Sequence, residues 1–156
     1  MSTTRLEAQV EPGALVLIDS SVVLAYLAGA ERTSPLATEL LDGFIGSGRN
    51  AAALSAVTIG EILVRPFRAG AAAVSTVEGF VRFFGEIRIV DVDVAVGREA
   101  ARIRAMTGLR MPDALIIASA VVAKADVLVT NDRTWATVLA AAAPGIRLCV
   151  LEELAA

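Results

Sequence analysis

Four acidic residues stand where a carboxylate could bind a ligand rather than simply face solvent. Two follow short apolar runs that predict buried strands, one lies in the first turn of a helix begun by a proline, and one lies in the second turn of another predicted helix. The four are Asp19, Glu61, Asp113 and Asp132. All four offer the hard oxygen atoms that Mg²⁺ and Mn²⁺ prefer.

Short apolar runs alternate with segments of helical spacing along the 156-residue chain. We predict strands over 14–18, 51–55, 87–92, 126–130 and 146–151. We predict helices over 21–29, 34–44, 56–67, 70–84, 94–106 and 112–124, and a short helix that carries Trp135. This alternation is typical of α/β folds. We therefore expect a polar arm over 1–13, followed by one three-layer domain over 14–156 with a mostly parallel central sheet between helices.

The carboxyl ends of parallel strands and the starts of the following helices lie on one edge of a sheet, where ligands bind. Asp19, Asp113 and Asp132 map to that edge, and Glu61 can reach it across one helical turn. We expect neutral polar side chains to lie there too, from Ser20, Ser21, Thr130 and Asn131.

Carboxylates held close together repel one another, by roughly 4 kcal/mol for a pair about 4 Å apart at an effective dielectric constant near 20. The cluster can relieve this repulsion by taking up protons or by binding a divalent cation. Because the available ligands are oxygens, Mg²⁺ or Mn²⁺ is favoured over zinc or copper. Such an ion activates water and neutralises charge that develops on a phosphoryl group.

Two features of the composition exclude other chemistry. The chain has no His, which excludes His general bases, Ser-His-Asp triads and His-ligated zinc. Its one Cys, Cys149, lies in an apolar string, which excludes disulfides and indicates a core position. Metal-assisted hydrolysis of phosphodiesters is the chemistry that best fits the remaining residue types.

The same acids also have purely structural interpretations. Asp19 and Asp132 could cap helices, Asp113 could be an acid favoured by the helix dipole, and Glu61 could be a surface residue. Other polar residues predict helix boundaries: N-caps at Ser34, Ser55 and Asp93, and a C-terminal stop at Gly29. Asp93 follows a predicted strand and could also face the same edge of the sheet.

Four segments, in this order and spacing, resemble a PIN domain of the VapC toxin type: VLIDSSVVLAYL, LSAVTIGEIL, GLRMPDALIIASA and ADVLVTNDRTW. The resemblance extends from about Leu15 to Leu151. It implies a PIN-like fold, with catalytic and metal-binding roles for Asp19, Glu61, Asp113 and Asp132. It also implies supporting roles for the polar residues Ser20, Thr130 and Asn131.

The activity that this resemblance implies is that of a Mg²⁺- or Mn²⁺-dependent endoribonuclease. Such an enzyme is the toxin of a toxin–antitoxin pair and is neutralised by a cognate antitoxin protein. Because the N-terminus lacks the apolar segment of a secretory signal and no apolar run approaches the length of a membrane span, we expect a cytoplasmic protein without membrane contact.

The charge distribution limits how RNA could bind. The net charge is −3, so a polyanion must meet a local group of Arg residues rather than a positive field around the whole protein. Arg110 and Arg133 adjoin two of the acids and are the first candidates, followed by Arg65 and Arg68. The hydrophobic content of 56% favours a buried interface, most simply a homodimer or a bound partner.

Two other functions remain open from the sequence. One is a doubly wound phosphatase or phosphoacceptor domain. Against the phosphatase, Ser21 stands where a second Asp is needed. Against the phosphoacceptor domain, which needs a Lys after a late strand, the only Lys of the sequence, Lys124, lies at a helix end. A non-catalytic scaffold or RNA-binding module of the same fold is the alternative outside the enzymes. Titration with a metal ion would distinguish it from a nuclease.

Overall fold

Five parallel strands form one sheet at the centre of the protein. The computed structural model describes residues 2–155, with side chains from residue 5 onward. The strands are β1 (Val16–Ile18), β2 (Ala52–Ser55), β3 (Ile87–Val90), β4 (Val127–Thr130) and β5 (Arg147–Val150). Their order across the sheet is β3-β2-β1-β4-β5, and every neighbouring pair is parallel. The α/β fold class predicted from the sequence is confirmed.

Helices connect the strands, and one more helix lies at each end of the described chain. They are α1 (Ser2–Gln9), α2 (Ser20–Ala28), α3 (Ser34–Thr38), α4 (Ala56–Ala69), α5 (Ala71–Phe83), α6 (Val94–Thr107), α7 (Met111–Val122), α8 (Trp135–Ala142) and α9 (Leu151–Leu154). Ser55 and Asp93 cap α4 and α6 as predicted, because each side chain accepts a hydrogen bond from a backbone N–H of the first turn. Gly29 ends α2 in the left-handed conformation, with a φ of 70°.

The sheet separates two hydrophobic cores, because successive residues of a strand point to opposite faces. In β1, Val16 and Ile18 pack into one core and Leu17 packs into the other. Helices α1 to α5 and α9 cover the first face, and α6, α7 and α8 cover the second. This arrangement is the three-layer architecture predicted from the alternation of strands and helices.

The strand order reverses between β1 and β4. From β1 the chain first builds outward through β2 and β3, and it then crosses the sheet to place β4 on the other side of β1. At such a reversal the connections leave in opposite directions, which opens a crevice beyond the carboxyl ends of the two strands. Ile18 and Val129 are paired there, so the residues that follow them enter the same crevice.

Several local predictions are wrong in detail. The N-terminal segment is not a polar arm, because α1 lies within it and Leu6 and Val10 are fully buried in the first core. The predicted N-cap Ser34 lies inside the first turn of α3, and its hydroxyl donates to the Ala25 carbonyl at 2.7 Å instead. The helix predicted over 34–44 becomes π-helical over Glu39–Ile45.

Candidate active site

The carboxylate of Asp19 is the buried centre of the crevice between β1 and β4. Asp19 is only 4% exposed. The backbone N–H of Asp19 donates to the Val129 carbonyl of the neighbouring strand at 2.9 Å. Asp19 is also the N-cap residue of α2, and its Oδ1 accepts the backbone N–H of Ser20 at 2.8 Å. Asp19 therefore does cap the helix, but capping occupies only one of its two carboxylate oxygens.

Two hydroxyl groups bind the other oxygen of this carboxylate. Ser21 Oγ donates to Asp19 Oδ2 at 2.7 Å, and Thr130 Oγ1 donates to the same oxygen at 2.8 Å. Thr130 is the last residue of β4 and is fully buried, so a strand end and a helix start meet at one atom.

Glu61 approaches Asp19 through a third hydroxyl. Ser20 Oγ lies 3.2 Å from Glu61 Oε1 and 3.4 Å from Asp19 Oδ1. Glu61 lies in the second turn of α4, as predicted, and is exposed to solvent on its outer side. The Ser20 hydroxyl therefore stands between two carboxylates that come from different helices.

Asp113 lies in the first turn of α7, after Pro112, as predicted. Its side chain is 19% exposed and forms an ion pair with Arg110, with 3.3 Å between Asp113 Oδ2 and Arg110 Nη2. The Arg110 side chain is 84% exposed, so the guanidinium stands at the outer rim of the site.

Asp132 takes a different position from the other three acids. Its Oδ1 accepts the backbone N–H and the hydroxyl of Thr134, at 2.9 and 2.6 Å. Its backbone N–H donates to Thr130 Oγ1 at 3.0 Å, so it reaches Asp19 through one intervening hydroxyl. The structure thus brings the Asp132 backbone into the network, while its carboxylate caps the turn that leads to α8.

Burial and mutual repulsion make this site favour protons or cations. Desolvation is the main cause that raises the pKa of Asp19, and the negative charge of Asp113 raises it further; the hydrogen bonds from Ser21, Thr130 and Ser20 oppose that rise. Desolvation also raises the pKa of Glu61, with the charges of Asp19 and Asp113 adding to it. Three acids therefore share one electrostatic environment.

A model of the PIN domain family matches residues 16–139, a span that contains β1 to β4 and all four acids. The chain belongs to the PIN domain family. No curated protein matches it significantly by sequence. The family match and the parallel sheet agree with the resemblance found in the sequence.

Solved structures with a similar fold come from toxin–antitoxin systems. One is a toxin–antitoxin complex from Klebsiella pneumoniae, with a TM-score of 0.64, 19% identity, and coverage of 87% of this chain and 97% of that chain. Another is VapC20 of Mycobacterium tuberculosis, a toxin that cleaves the sarcin–ricin loop; its TM-score is 0.62, with 16% identity and coverage of 78% and 93%. VapBC2 of Rickettsia felis, bound to a promoter DNA fragment, has a TM-score of 0.61, 18% identity and coverage of 87% and 98%. At these identities the similarity establishes the fold.

The oxygen donors of this PIN domain fit a hard divalent cation. Asp19 Oδ1 and Glu61 Oε1 face one another across the Ser20 hydroxyl, and the charge of Asp113 acts on both carboxylates. Within residues 2–155, no three acidic or Cys side chains stand close enough together to hold one ion as they are placed here. The joint site of Asp19, Glu61, Asp113 and Asp132 remains a prediction.

The two Arg residues predicted to bind RNA have different surroundings in this PIN domain. Arg110 is exposed and forms an ion pair with Asp113, one of the acids of the site. Arg133 donates to the backbone carbonyl of Glu152 in α9 at 3.3 Å, so part of its donor capacity ties the C-terminal helix to the turn after Asp132. Arg110 is therefore the stronger candidate of the two.

One polar residue of the network was not foreseen. Thr33 is 1% exposed, and its hydroxyl accepts a hydrogen bond from Asn131 Nδ2 at 3.1 Å. This bond fixes the Asn131 side chain beside the site, and it joins residues 98 positions apart. No local sequence pattern predicts this contact, because Thr33 simply precedes Ser34-Pro35 in a predicted loop.

The described helices of the PIN domain contain no single segment that is long and apolar enough to cross a membrane. Only α6 and α7 together meet that criterion, and they are bent by 120° relative to each other.

Proposed function

We propose that this PIN domain is the ribonuclease toxin of a toxin–antitoxin pair, acting in the cytoplasm. The observation that carries the proposal is the Asp19 carboxylate, which is buried at the reversal of strand order and shares its environment with Glu61 and Asp113. Burying a negative charge beside other acids is unfavourable even when the carboxylate is hydrogen-bonded, so a function that needs the charge explains its presence.

The residues proposed to hold Mg²⁺ or Mn²⁺ are Asp19, Glu61, Asp113 and Asp132. When bound, such an ion activates water and offsets the negative charge that develops on a phosphoryl group. Ser20 supports the set by holding a hydroxyl between Asp19 and Glu61. Thr130 and Asn131 contribute hydrogen bonds that keep the end of β4 against the start of α2.

The products of cleavage follow from the residue types. A route through a 2′,3′-cyclic phosphate needs a general base and a general acid, and the His residues that usually supply them do not occur in this chain. Direct attack of water on phosphorus needs no 2′-hydroxyl. We therefore expect RNA fragments with 5′-phosphate ends.

A cognate antitoxin is the proposed protein partner, since the similar structures named above are toxins or toxin–antitoxin complexes. The surface formed by α4 and α5 supports a protein partner, because it exposes large apolar side chains. Phe67 is 69% exposed and Phe83 is 78% exposed. Phe83 also lines a cavity of about 450 Å³, together with apolar side chains that include Ile59 and Leu63. A homodimer remains a second way to cover this apolar area.

The decisive experiment compares Asp19→Asn with Asp93→Asn. Asp93 caps α6 by accepting the Val96 N–H and takes no part in the network around Asp19, so the second variant controls for loss of a negative charge at a helix N-cap. We expect Asp19→Asn to lose most Mn²⁺ affinity, measured by calorimetry without RNA, and most Mg²⁺-dependent RNA cleavage. We expect Asp93→Asn to lose far less of either.

Three results would contradict the proposal. The first is equal Mn²⁺ affinity in the parent and in Asp19→Asn. The second is cleavage products that carry a 2′,3′-cyclic phosphate. The third is RNA binding by the parent without cleavage in Mg²⁺ or Mn²⁺, which would favour the non-catalytic RNA-binding module.

A further inference from the structure

The Ser21 hydroxyl links the backbone just after β4 to the carboxylate of Asp19 through two hydrogen bonds. The backbone N–H of Asn131 donates to Ser21 Oγ at 3.1 Å, and Ser21 Oγ donates to Asp19 Oδ2 at 2.7 Å. An amide N–H can only donate, so the hydroxyl must accept from it and its one proton is free to point at the carboxylate. The direction of both bonds is therefore determined.

Thr130 forms a second chain of the same kind. Its hydroxyl accepts the backbone N–H of Asp132 at 3.0 Å and donates to Asp19 Oδ2 at 2.8 Å. Two hydroxyl protons thus converge on one oxygen, which uses both of its lone pairs. Asp19 Oδ2 is left without capacity for a further ligand.

The other oxygen, Asp19 Oδ1, keeps one side open. Its close bond is the Ser20 backbone N–H at 2.8 Å, whereas the Ser20 hydroxyl lies 3.4 Å away and also contacts Glu61. A hydroxyl can turn its proton to another acceptor at little cost, but a backbone N–H cannot. Asp19 Oδ1 is therefore the oxygen that can face a ligand held together with Glu61.

We propose that Ser21 is a positioning residue that, with Thr130, holds Asp19 Oδ2 so that only Oδ1 is presented to a divalent cation. This inference rests on the proposed function. Without the Ser21 hydroxyl, Asp19 Oδ2 loses one of its two donors, and the carboxylate can rotate or turn Oδ2 toward the cation. Deleting such an outer hydrogen bond typically lowers metal affinity by about 10-fold or more.

The test measures Mn²⁺ binding by calorimetry in the full chain, without RNA, for the parent, Ser21→Ala and Ser21→Thr. We expect Ser21→Ala to bind Mn²⁺ about 10-fold more weakly. Ser21→Thr keeps the hydroxyl and should restore most of the affinity. Thermal unfolding in a chelating buffer confirms that each variant is folded.

Ser119→Ala is the matched control. Ser119 is fully buried; its hydroxyl donates to the Leu115 carbonyl at 2.8 Å and lies 2.9 Å from the Ser55 hydroxyl, so this variant also removes a buried, hydrogen-bonded hydroxyl. Its Mn²⁺ affinity should equal that of the parent. If Ser21→Ala and Ser119→Ala weakened Mn²⁺ binding equally, the effect of Ser21 would be general destabilisation and the positioning role would be wrong.

Failure of this inference can be separated from failure of the proposed function. Parent-like Mn²⁺ affinity in Ser21→Ala, together with its loss in Asp19→Asn, would overturn the positioning role alone. A parent chain that binds no Mn²⁺ would overturn both.

Discussion

The hydroxyl of Thr130 lies 2.8 Å from Oδ2 of Asp19, although 111 residues separate the two along the chain. The bond joins the last residue of β4 to the residue that caps α2. Both residues are buried, so neither can replace its partner with water if the bond is lost.

Thr130 should therefore affect both stability and activity. Thr130→Val keeps the shape of the side chain but removes one of the two hydroxyl donors to Asp19 Oδ2 and leaves the Asp132 N–H without its hydroxyl acceptor. We expect it to lower the free energy of unfolding in urea by about 1–3 kcal/mol and to reduce RNA cleavage. Thr130→Ser retains the hydroxyl and should recover most of both losses. Equal stability of the Val variant and the parent would show that the bond contributes little.

Tyr26 provides a pH-dependent signal, because it is the only Tyr in the chain. Partial burial beside Phe80 and Phe84 raises its pKa from 10.0 to about 12, and its hydrogen bond to Asp42 adds to the rise. Because the pKa is higher in the folded state, this contribution to stability is complete below pH 10.0 and is lost as the pH rises toward about 12.

Tyrosinate absorbance of the native protein should accordingly titrate well above that of the protein in urea. Asp42→Asn removes the nearby charge but not the burial, so it should lower the pKa of Tyr26 only in part. Overlapping titration curves for the folded and unfolded parent would contradict this assignment.

Arg110→Ala tests the rim of the site. The Arg110 side chain is 84% exposed, so its removal should not unfold the protein. We expect weaker RNA binding with nearly unchanged Mn²⁺ affinity. The slope of the logarithm of the RNA-binding constant against the logarithm of the salt concentration should become shallower by about one, as for the loss of one phosphate contact.

Arg133→Ala is the comparison for Arg110. Because Arg133 also donates to the Glu152 carbonyl, its removal should affect the anchoring of α9 as well as RNA binding. If both variants bind and cleave RNA like the parent, the RNA-binding Arg residues lie elsewhere, and Arg65 and Arg68 are the next to test.

The N-terminal helix should contribute directly to the stability of the domain. Leu6 is fully buried in the first core, so Leu6→Ala should lower the free energy of unfolding by about 2–5 kcal/mol. Glu7→Ala, an exposed neighbour on the same helix, should change it by less than about 0.5 kcal/mol. Equal urea unfolding curves for the two variants would mean that α1 is not part of the core.

The sequence by itself was sufficient for the fold class and for the location of the acids along the elements. Apolar runs such as 127–129 are short and uninterrupted, which is the pattern of strands buried on both faces. Caps such as Ser55 and Asp93 mark helix starts through local hydrogen bonds. These signals depend on neighbouring residues only, so they can be found without the tertiary structure.

Only the tertiary structure determined the features that depend on contacts between distant residues. Leu6 and Val10 sit in a segment that looks polar, and only packing against the first core makes it a buried helix. The carboxylate of Asp132 turns to Thr134, while the hydroxyls of Ser21 and Thr130 converge on one oxygen of Asp19. Side-chain direction and the pairing of atoms across the sheet arise when distant elements come together, and no local pattern in the sequence encodes them.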